Sequence, residues 1–378
     1  MAKKRPQIPA NAQMLLWAKA AGRCEYEGCN KLVYRDLLTK TEMRAADIAH
    51  IIAASKDGPR GGPLSHSKQT DVRNLMLLCK KHHRLIDHEG ETEHSTKELL
   101  RMKRQHERRI EQQTEAKEDK QSHVLLYGAN IGDKTSPINF IDARNAMSPK
   151  AYPAEVSPIE IHIKGSLLKD NEKTFWKLEK SNLERAFAER VAPRINTGDI
   201  NGIRRVSLFA MAPQPLLVKL GTLLSDIVPV EVFQLHREPR TWAWQSGPKK
   251  FTYFVKEPHT RSKNVALNLS LSATIDNKRI GAILGRNASI WTVSIAHPEN
   301  DYLKAPEQLA LFRKTMRDVF NRIKLKHGEK TVLHVFLAAP ISVATELGRV
   351  WMPKADLPLA LYDQSRRSGG FIKVFDIR

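Results

Sequence analysis

All three cysteines of this 378-residue chain lie at or before position 79, and their placement limits how that region can fold. Cys24 and Cys29 close the stretch CEYEGC, in which Gly28 lets the backbone turn. Cys79 and His82 come much later, in NLMLLCKKHHRLID, where a helix is predicted to begin. Three thiolates and one imidazole make a closed tetrahedral set for a structural zinc ion, and both ligand pairs have spacings in the usual range. Such a site draws two distant segments to one point and staples a small domain with a thin core. An odd number of cysteines does not make a disulfide framework.

His83 stands directly beside His82, and neighbours on a helix point about 100° apart, so one metal site does not use both. His83 is left for a second task. The run ADIAHIIAAS places His50 in an apolar strand before the Gly/Pro-rich loop KDGPRGGP, and VRNLMLL places Asn74 ahead of a second apolar run. His50, Asn74 and His83 thus fall in order on strand, loop and helix. AHI (49–51), NLMLLCKKHH (74–83) and the Cys24/Cys29 pair resemble an HNH nuclease of the zinc-stapled ββα-metal kind, over roughly the first quarter of the chain.

The resemblance implies that His50 takes the proton of a water attacking a phosphodiester. It implies that His83 ligates a catalytic Mg2+ or Mn2+, and that Asn74 holds the His50 segment. Many relatives carry a metal-binding Asp or His directly before the base, where this chain has Ala49. Asp87 lies four residues after His83 on one helical face. It ranks ahead of Asp47, which an ideal strand would turn to the side opposite His50. Lys56 and Arg60 of the Gly/Pro-rich loop are either DNA phosphate contacts or parts of a plain flexible loop. His88, His94 and His106, in charged surroundings, are expected on the surface.

A domain over 1–94 is followed by a charged stretch over 95–121. There Ser95 or Thr96 caps a helix with Glu98 in its first turn. Leu99, Leu100 and Met102 give it a short apolar face, and it reads as an exposed helix running into a linker near residue 120. Residues 122–378 alternate strand-like and helix-like runs, the pattern of a parallel α/β sheet. This part repeats itself, at about 122–245 and 265–378. SLFAMAPQPLLVKLGTLLSDIVPVEVFQL (207–235) aligns with HVFLAAPISVATELGRVWMPKADLPLALYDQ (334–364), matching Pro213 to Pro340, Leu220 to Leu347 and Gly221 to Gly348. A strand and a helix precede each copy, IEIHIKG before one and IWTVSIA before the other, so the shared order is strand, helix, strand, helix, strand.

A doubly wound sheet binds ligands beyond the carboxyl ends of its strands. That places Pro213, Gln214, Pro340 and Ile341 at one cleft suited to a ligand with two similar halves. Arg237 and Arg240 could pair with phosphates, and Trp242 and Trp244 could stack on bases, although at least one tryptophan is better read as core. This half resembles the SAVED domain, two fused CARF/Rossmann-like α/β repeats that bind cyclic oligonucleotides, and the whole resembles the HNH–SAVED effectors of bacterial CBASS antiphage systems. The resemblance implies a double-stranded DNA substrate, a cyclic oligonucleotide activator (a cyclic dinucleotide is expected) and a partner synthase that makes it. It also implies self-association on activation, as a tetramer.

The formal net charge of +21 suits a polyanionic partner. No apolar run reaches membrane-spanning length and the start lacks a signal-peptide stretch, so a cytoplasmic protein is expected. Two other readings stay open: an ungated restriction-like nuclease with a DNA-recognition half, and a zinc-stapled DNA-binding regulator with a small-molecule sensor. The regulator reading needs neither His50 nor His83.

Overall fold

In the computed structural model the chain forms two compact units, Met1–Lys117 and Glu118–Arg378. The structure describes residues 7–36, 38–89, 93–114, 120–132, 134, 138–162, 168–195, 203–226, 228–365 and 369–378. Residues 115–119 of the expected linker, and the last three residues of the run IEIHIKG, lie outside them.

The first unit contains α1 (Ala10–Ala20), β1 (Ala46–His50), α2 (Ser65–Lys68), β2 (Leu75–Cys79), α3 (Lys80–Arg84) and α4 (Thr96–Thr114). β1 and β2 pair antiparallel, with Ala46 opposite Cys79 and His50 opposite Leu75. Every residue of β2 is buried, which is why LMLL is apolar throughout instead of alternating. Leu16 and Ala20 of α1 and Leu99 of α4 join its core.

α4 does not stand away from this unit as an exposed helix. Lys103 is buried, 2.7 Å from Glu107 and 3.7 Å from the buried Glu25. Arg109 donates to Asn30 Oδ1 at 2.7 Å, and Arg101 pairs with Glu27 at 2.5 Å. The polar face of α4 thus meets polar partners on the segment around Cys24 and Cys29. The expected surface positions of His94 and His106 are corrected for the same reason. Both are buried, His94 with Nε2 3.0 Å from the Tyr26 hydroxyl and His106 with Nε2 3.1 Å from the Ala20 carbonyl oxygen. His88 is exposed as expected.

The second unit is built twice. Its first half contains β3 (Gln121–Gly128), α5 (Phe140–Met147), β4 (Tyr152–Pro153), β5 (Ile159–Glu160), α6 (Lys173–Arg190), α7 (Ala192–Ile195), β6 (Val206–Met211), α8 (Gln214–Leu224) and β7 (Val230–Val232). Its second half contains β8 (Phe254–Lys256), β9 (Val265–Ser270), α9 (Asn277–Leu284), β10 (Ser289–Ser294), α10 (Pro306–His327), β11 (Leu333–Ala338), α11 (Ile341–Val350), β12 (Leu359–Ser365) and β13 (Gly370–Ile377).

Among the described residues this unit has two sheets, not one. In the first, β5, β3, β6 and β7 lie side by side and parallel, with β4 also on β3; in the second, β10, β9, β11 and β12 do the same, with β13 and β8 antiparallel at the edges. The two parallel sets share one strand order. Each repeat therefore includes a central strand, β3 or β9, that lies within the expected repeat bounds but was not among the five matched elements. Among the described residues no helix is long and apolar enough to cross a membrane.

The matched glycines mark where the halves meet. A Cβ on Gly221 would lie 2.0 Å from the Thr345 carbonyl oxygen and 2.9 Å from Arg349 N; one on Gly348 would lie 1.9 Å from the Val218 carbonyl oxygen and 2.9 Å from Thr222 N. The partners are three residues before and one after the facing glycine in both directions, so α8 and α11 cross about a local two-fold with backbone on backbone. Gly348→Ala must push these helices apart and should destabilise the second unit by about 1–3 kcal/mol or more. Gly281→Ala, on α9 with its nearest neighbour at 3.8 Å, should be neutral or stabilising, because alanine is the better helix former. Denaturant unfolding of the two variants checks this; equal stability would exclude the close crossing.

Candidate nuclease centre and sensor cleft

In the first unit, Cys24, Cys29, Cys79 and His82 present four ligand atoms that all lie within 4.8 Å of one another. His82 Nδ1 is 3.5 Å from Cys24 Sγ and 3.4 Å from Cys79 Sγ. Gly28, at φ +80°, allows the turn between Cys24 and Cys29. Tyr26 stacks on the His82 ring, centroids 4.2 Å apart, and burial keeps that imidazole below its ordinary pKa, hence neutral and able to donate a lone pair. Burial pushes the Cys24 thiol up to about 12, so its thiolate needs a cation beside it. The donor set fits zinc.

The second constellation lies on β1, the turn before β2, and α3. His50 ends β1, and its Nε2 is 2.9 Å from the Gln69 carbonyl oxygen. A carbonyl only accepts, so the neutral ring carries its proton on Nε2 and leaves Nδ1 with a free lone pair. Asn74 is buried; its Nδ2 donates to the carbonyl oxygens of Ile52 and Lys68 and its Oδ1 accepts from Ile52 N. These bonds fix the backbone two residues beyond His50.

His83 sits between two carboxylates: Asp47 Oδ2 is 3.4 Å from Nδ1 and Asp87 Oδ2 is 3.3 Å from Nε2. The hydrogen bond to Asp87, with the charges of Asp87 and Asp47, raises the His83 pKa against the opposing effect of burial. Burial pushes the Asp87 carboxyl up, but hydrogen bonds from His83 and Arg60 outweigh it and hold the group below its usual range. Along β1, Ala46 and Ala49 are buried and Asp47, Ile48 and His50 are part-exposed; Asp47 nonetheless reaches His83. Arg60 is also not a free phosphate contact: its guanidinium is buried and bonded to Asp87 at 2.7 Å. The half-exposed Asp47 offers an oxygen ligand of the kind that suits Mg2+ or Mn2+, with the His83 imidazole beside it.

In the second unit, both proline turns cap helices. Pro213 precedes α8, Pro340 precedes α11, and both are buried. Gln214 Nε2 donates to the Ala339 carbonyl oxygen at 3.0 Å, which ties the two turns together, and Ser342 Oγ donates to Gln234 Oε1 at 2.7 Å, which ties the second turn to the segment after β7. Ile341 and Trp244, both partly buried, pack against the same buried cluster.

Trp242 is the core member of the pair: it is buried, and its ring stands edge-on to Phe209 at 5.3 Å. Trp244 lies edge-on to His236 at 5.8 Å. Arg237 and Arg240 are exposed. Arg240 lines a cavity of about 300 Å³ with Asn139, Asp142, Asn145 and Trp242. Sequence reading missed the α5 residues, which carry no motif and reach that place only through the packing of α5.

Comparison with known proteins adds two family matches. Residues 34–89 match the HNH endonuclease family, a span holding His50, Arg60, Asn74, Cys79, His82, His83 and Asp87. Residues 183–377 match SAVED, the SMODS-associated and fused to various effectors sensor domain. Among solved structures, the Acinetobacter baumannii Cap4 SAVED/CARF-domain containing receptor with the cyclic trinucleotide 2′3′3′-cAAA is similar at 13% identity and a TM-score of 0.41, over 83% of this chain and 66% of that one. The same receptor with 3′3′3′-cAAA gives 12% identity, a TM-score of 0.41, and 82% and 64% coverage. The Moraxella osloensis Cap4 receptor gives 12%, 0.39, 75% and 61%. The chain thus spans slightly less than two thirds of these receptors' length. No match emerges among the curated proteins compared. With more than half its length matched to one family, the chain belongs to the SAVED sensor-domain family and carries an HNH endonuclease ahead of the sensor.

Proposed function

We propose that the protein is a metal-dependent DNA endonuclease switched on by a cyclic oligonucleotide, an effector of CBASS antiphage defence acting in the cytoplasm. The observation that carries this is the fusion in one chain of an HNH match holding His50, Asn74 and His83 with a duplicated sensor whose two proline turns are tied by Gln214.

The chemistry follows from the side chains. Nδ1 of His50 takes a proton from water; the water oxygen bonds to phosphorus, and the bond to the leaving 3′ oxygen breaks. Asn74 keeps the His50 strand in place, and Gln69 keeps its tautomer. Asp47 and His83 would hold the catalytic Mg2+ or Mn2+, with Asp87 orienting His83 from behind. This reverses the order expected from sequence, because Arg60 engages Asp87 whereas Asp47 faces His83 half-exposed. When bound, the cation offsets charge growing on the leaving and non-bridging oxygens. The cluster of three cysteines and His82 would hold structural zinc.

The activator is read as a cyclic dinucleotide from a partner synthase, bound where the proline turns meet, with Arg237, Arg240 and Trp244 as further candidate contacts. One HNH centre cuts one strand, so breaking double-stranded DNA favours two or more copies held together. A ligand shifts that assembly only by binding it more tightly than the resting form. A resting monomer or dimer should become a larger, even-numbered particle, a tetramer in this reading, when the activator binds. Light scattering and plasmid cleavage with Mg2+ test this together. The panel should hold cyclic dinucleotides and the two cyclic trinucleotides found in the Cap4 structures. Cleavage independent of every nucleotide would favour an ungated nuclease, and full activity without a change in mass would exclude association as the switch.

A further inference from the structure

We propose that Arg60 is a positioning residue that ties the strand bearing His50 to the carboxylate behind His83 and so sets the geometry of the catalytic cation site; the proposal rests on the nuclease reading above. Arg60 lies in the loop DGPRGG, yet its side chain is only 7% exposed. Its Nε donates to the Ile51 carbonyl oxygen at 2.8 Å, its Nη1 to the Ile86 carbonyl oxygen at 2.7 Å, and its Nη2 to Asp87 Oδ1 at 2.7 Å. Ile51 follows His50 and Ile86 precedes Asp87. The other Asp87 oxygen lies 3.3 Å from His83 Nε2. One planar group therefore bridges the backbone next to His50 and the side chain that holds His83.

The backbone at Arg60 supports this reading. Its φ is +55°, a left-handed conformation that non-glycine residues seldom adopt. Such a conformation persists where surrounding contacts over-determine it, and three bonds from one guanidinium do so. Lysine cannot copy the arrangement, because its ammonium is a point charge without the planar fork that meets three separated acceptors. A residue that only pinned the loop would affect folding stability. A residue that aims Asp87 at His83 must also affect how well the site holds a cation, because partners behind a metal ligand typically contribute about 10–100-fold in affinity.

The test uses the full-length, zinc-loaded protein titrated with Mn2+, free Mn2+ being read by electron paramagnetic resonance, with zinc content and thermal stability measured alongside. Arg60→Lys and Arg60→Ala should retain zinc and weaken Mn2+ binding about 10–100-fold. Asp87→Asn added to Arg60→Lys should weaken it little further, because both changes break one path. If Arg60→Ala fails to fold, Arg60→Lys decides alone. Wild-type Mn2+ affinity in folded Arg60→Lys, with affinity lost in His83→Ala, would overturn the positioning role and leave the nuclease reading intact. Wild-type affinity in His83→Ala would remove the cation site itself, and the proposal with it.

Discussion

His50→Ala should abolish phosphodiester cleavage, with a rate loss of about 10²–10⁴-fold, while zinc content and nucleotide binding stay at wild-type levels. The side chain's one hydrogen bond among the described contacts is from Nε2 to the Gln69 carbonyl oxygen. Its removal from a part-exposed strand end therefore does little to folding. The core beneath β1 is built by Ala46, Ala49 and Ile51, and the backbone there is fixed by Asn74 through Ile52. What is lost is the Nδ1 lone pair. Nicking of supercoiled plasmid in Mg2+ with an activating nucleotide measures the change, and zinc analysis and thermal melting guard against trivial unfolding. His83→Ala should be equally inactive for a different reason, since it removes a cation ligand. Retained cleavage in His50→Ala would place the proton acceptor elsewhere and undo the assignment of the centre.

The parts of this protein legible in its sequence are those whose chemistry restricts residue type at close spacing. Cys24 with Cys29, and Cys79 with His82, are local pairs, and three thiolates with one imidazole suit few purposes. The duplication was legible through Pro213 and Pro340 and through Gly221 and Gly348, because a turn and a backbone crossing tolerate few alternatives. What escaped depends on partners far along the chain. Arg60 looks like any loop arginine until Ile51, Ile86 and Asp87 surround it. His94 and His106 sit among charges in sequence, yet Tyr26 and Ala20 bury them. The central strands β3 and β9 lacked a matched proline or glycine, so alignment passed over them although each pairs on both sides. Asp47 was ranked low on its strand position alone, which says nothing of the His83 side chain that lies beside it.

Loss of the structural metal should have the largest effect on stability. Cys79→Ser should strip zinc from the first unit and unfold or aggregate it, while the sensor half, expressed alone, still folds. Structural zinc contributes an apparent ~10–16 kcal/mol in small zinc modules at neutral pH, more than the ~5–15 kcal/mol net stability of a typical domain. Among the described residues the core of this unit is one small cluster, in which Cys24 and Cys79 are themselves buried members. The metal-free form has no good alternative. Burial pushes the Cys24 thiol up to about 12, so without a cation the sulfur keeps its proton and nothing draws the four ligand side chains together. Because zinc must displace that proton, its affinity should fall as pH drops, and acid with chelator should release it sooner than chelator alone. Elemental analysis of the purified chain, with melting before and after chelation, measures this. Zinc-free wild-type protein that melts as cooperatively as the metallated form would refute the staple, and with it the assignment of His82 to one site and His83 to another.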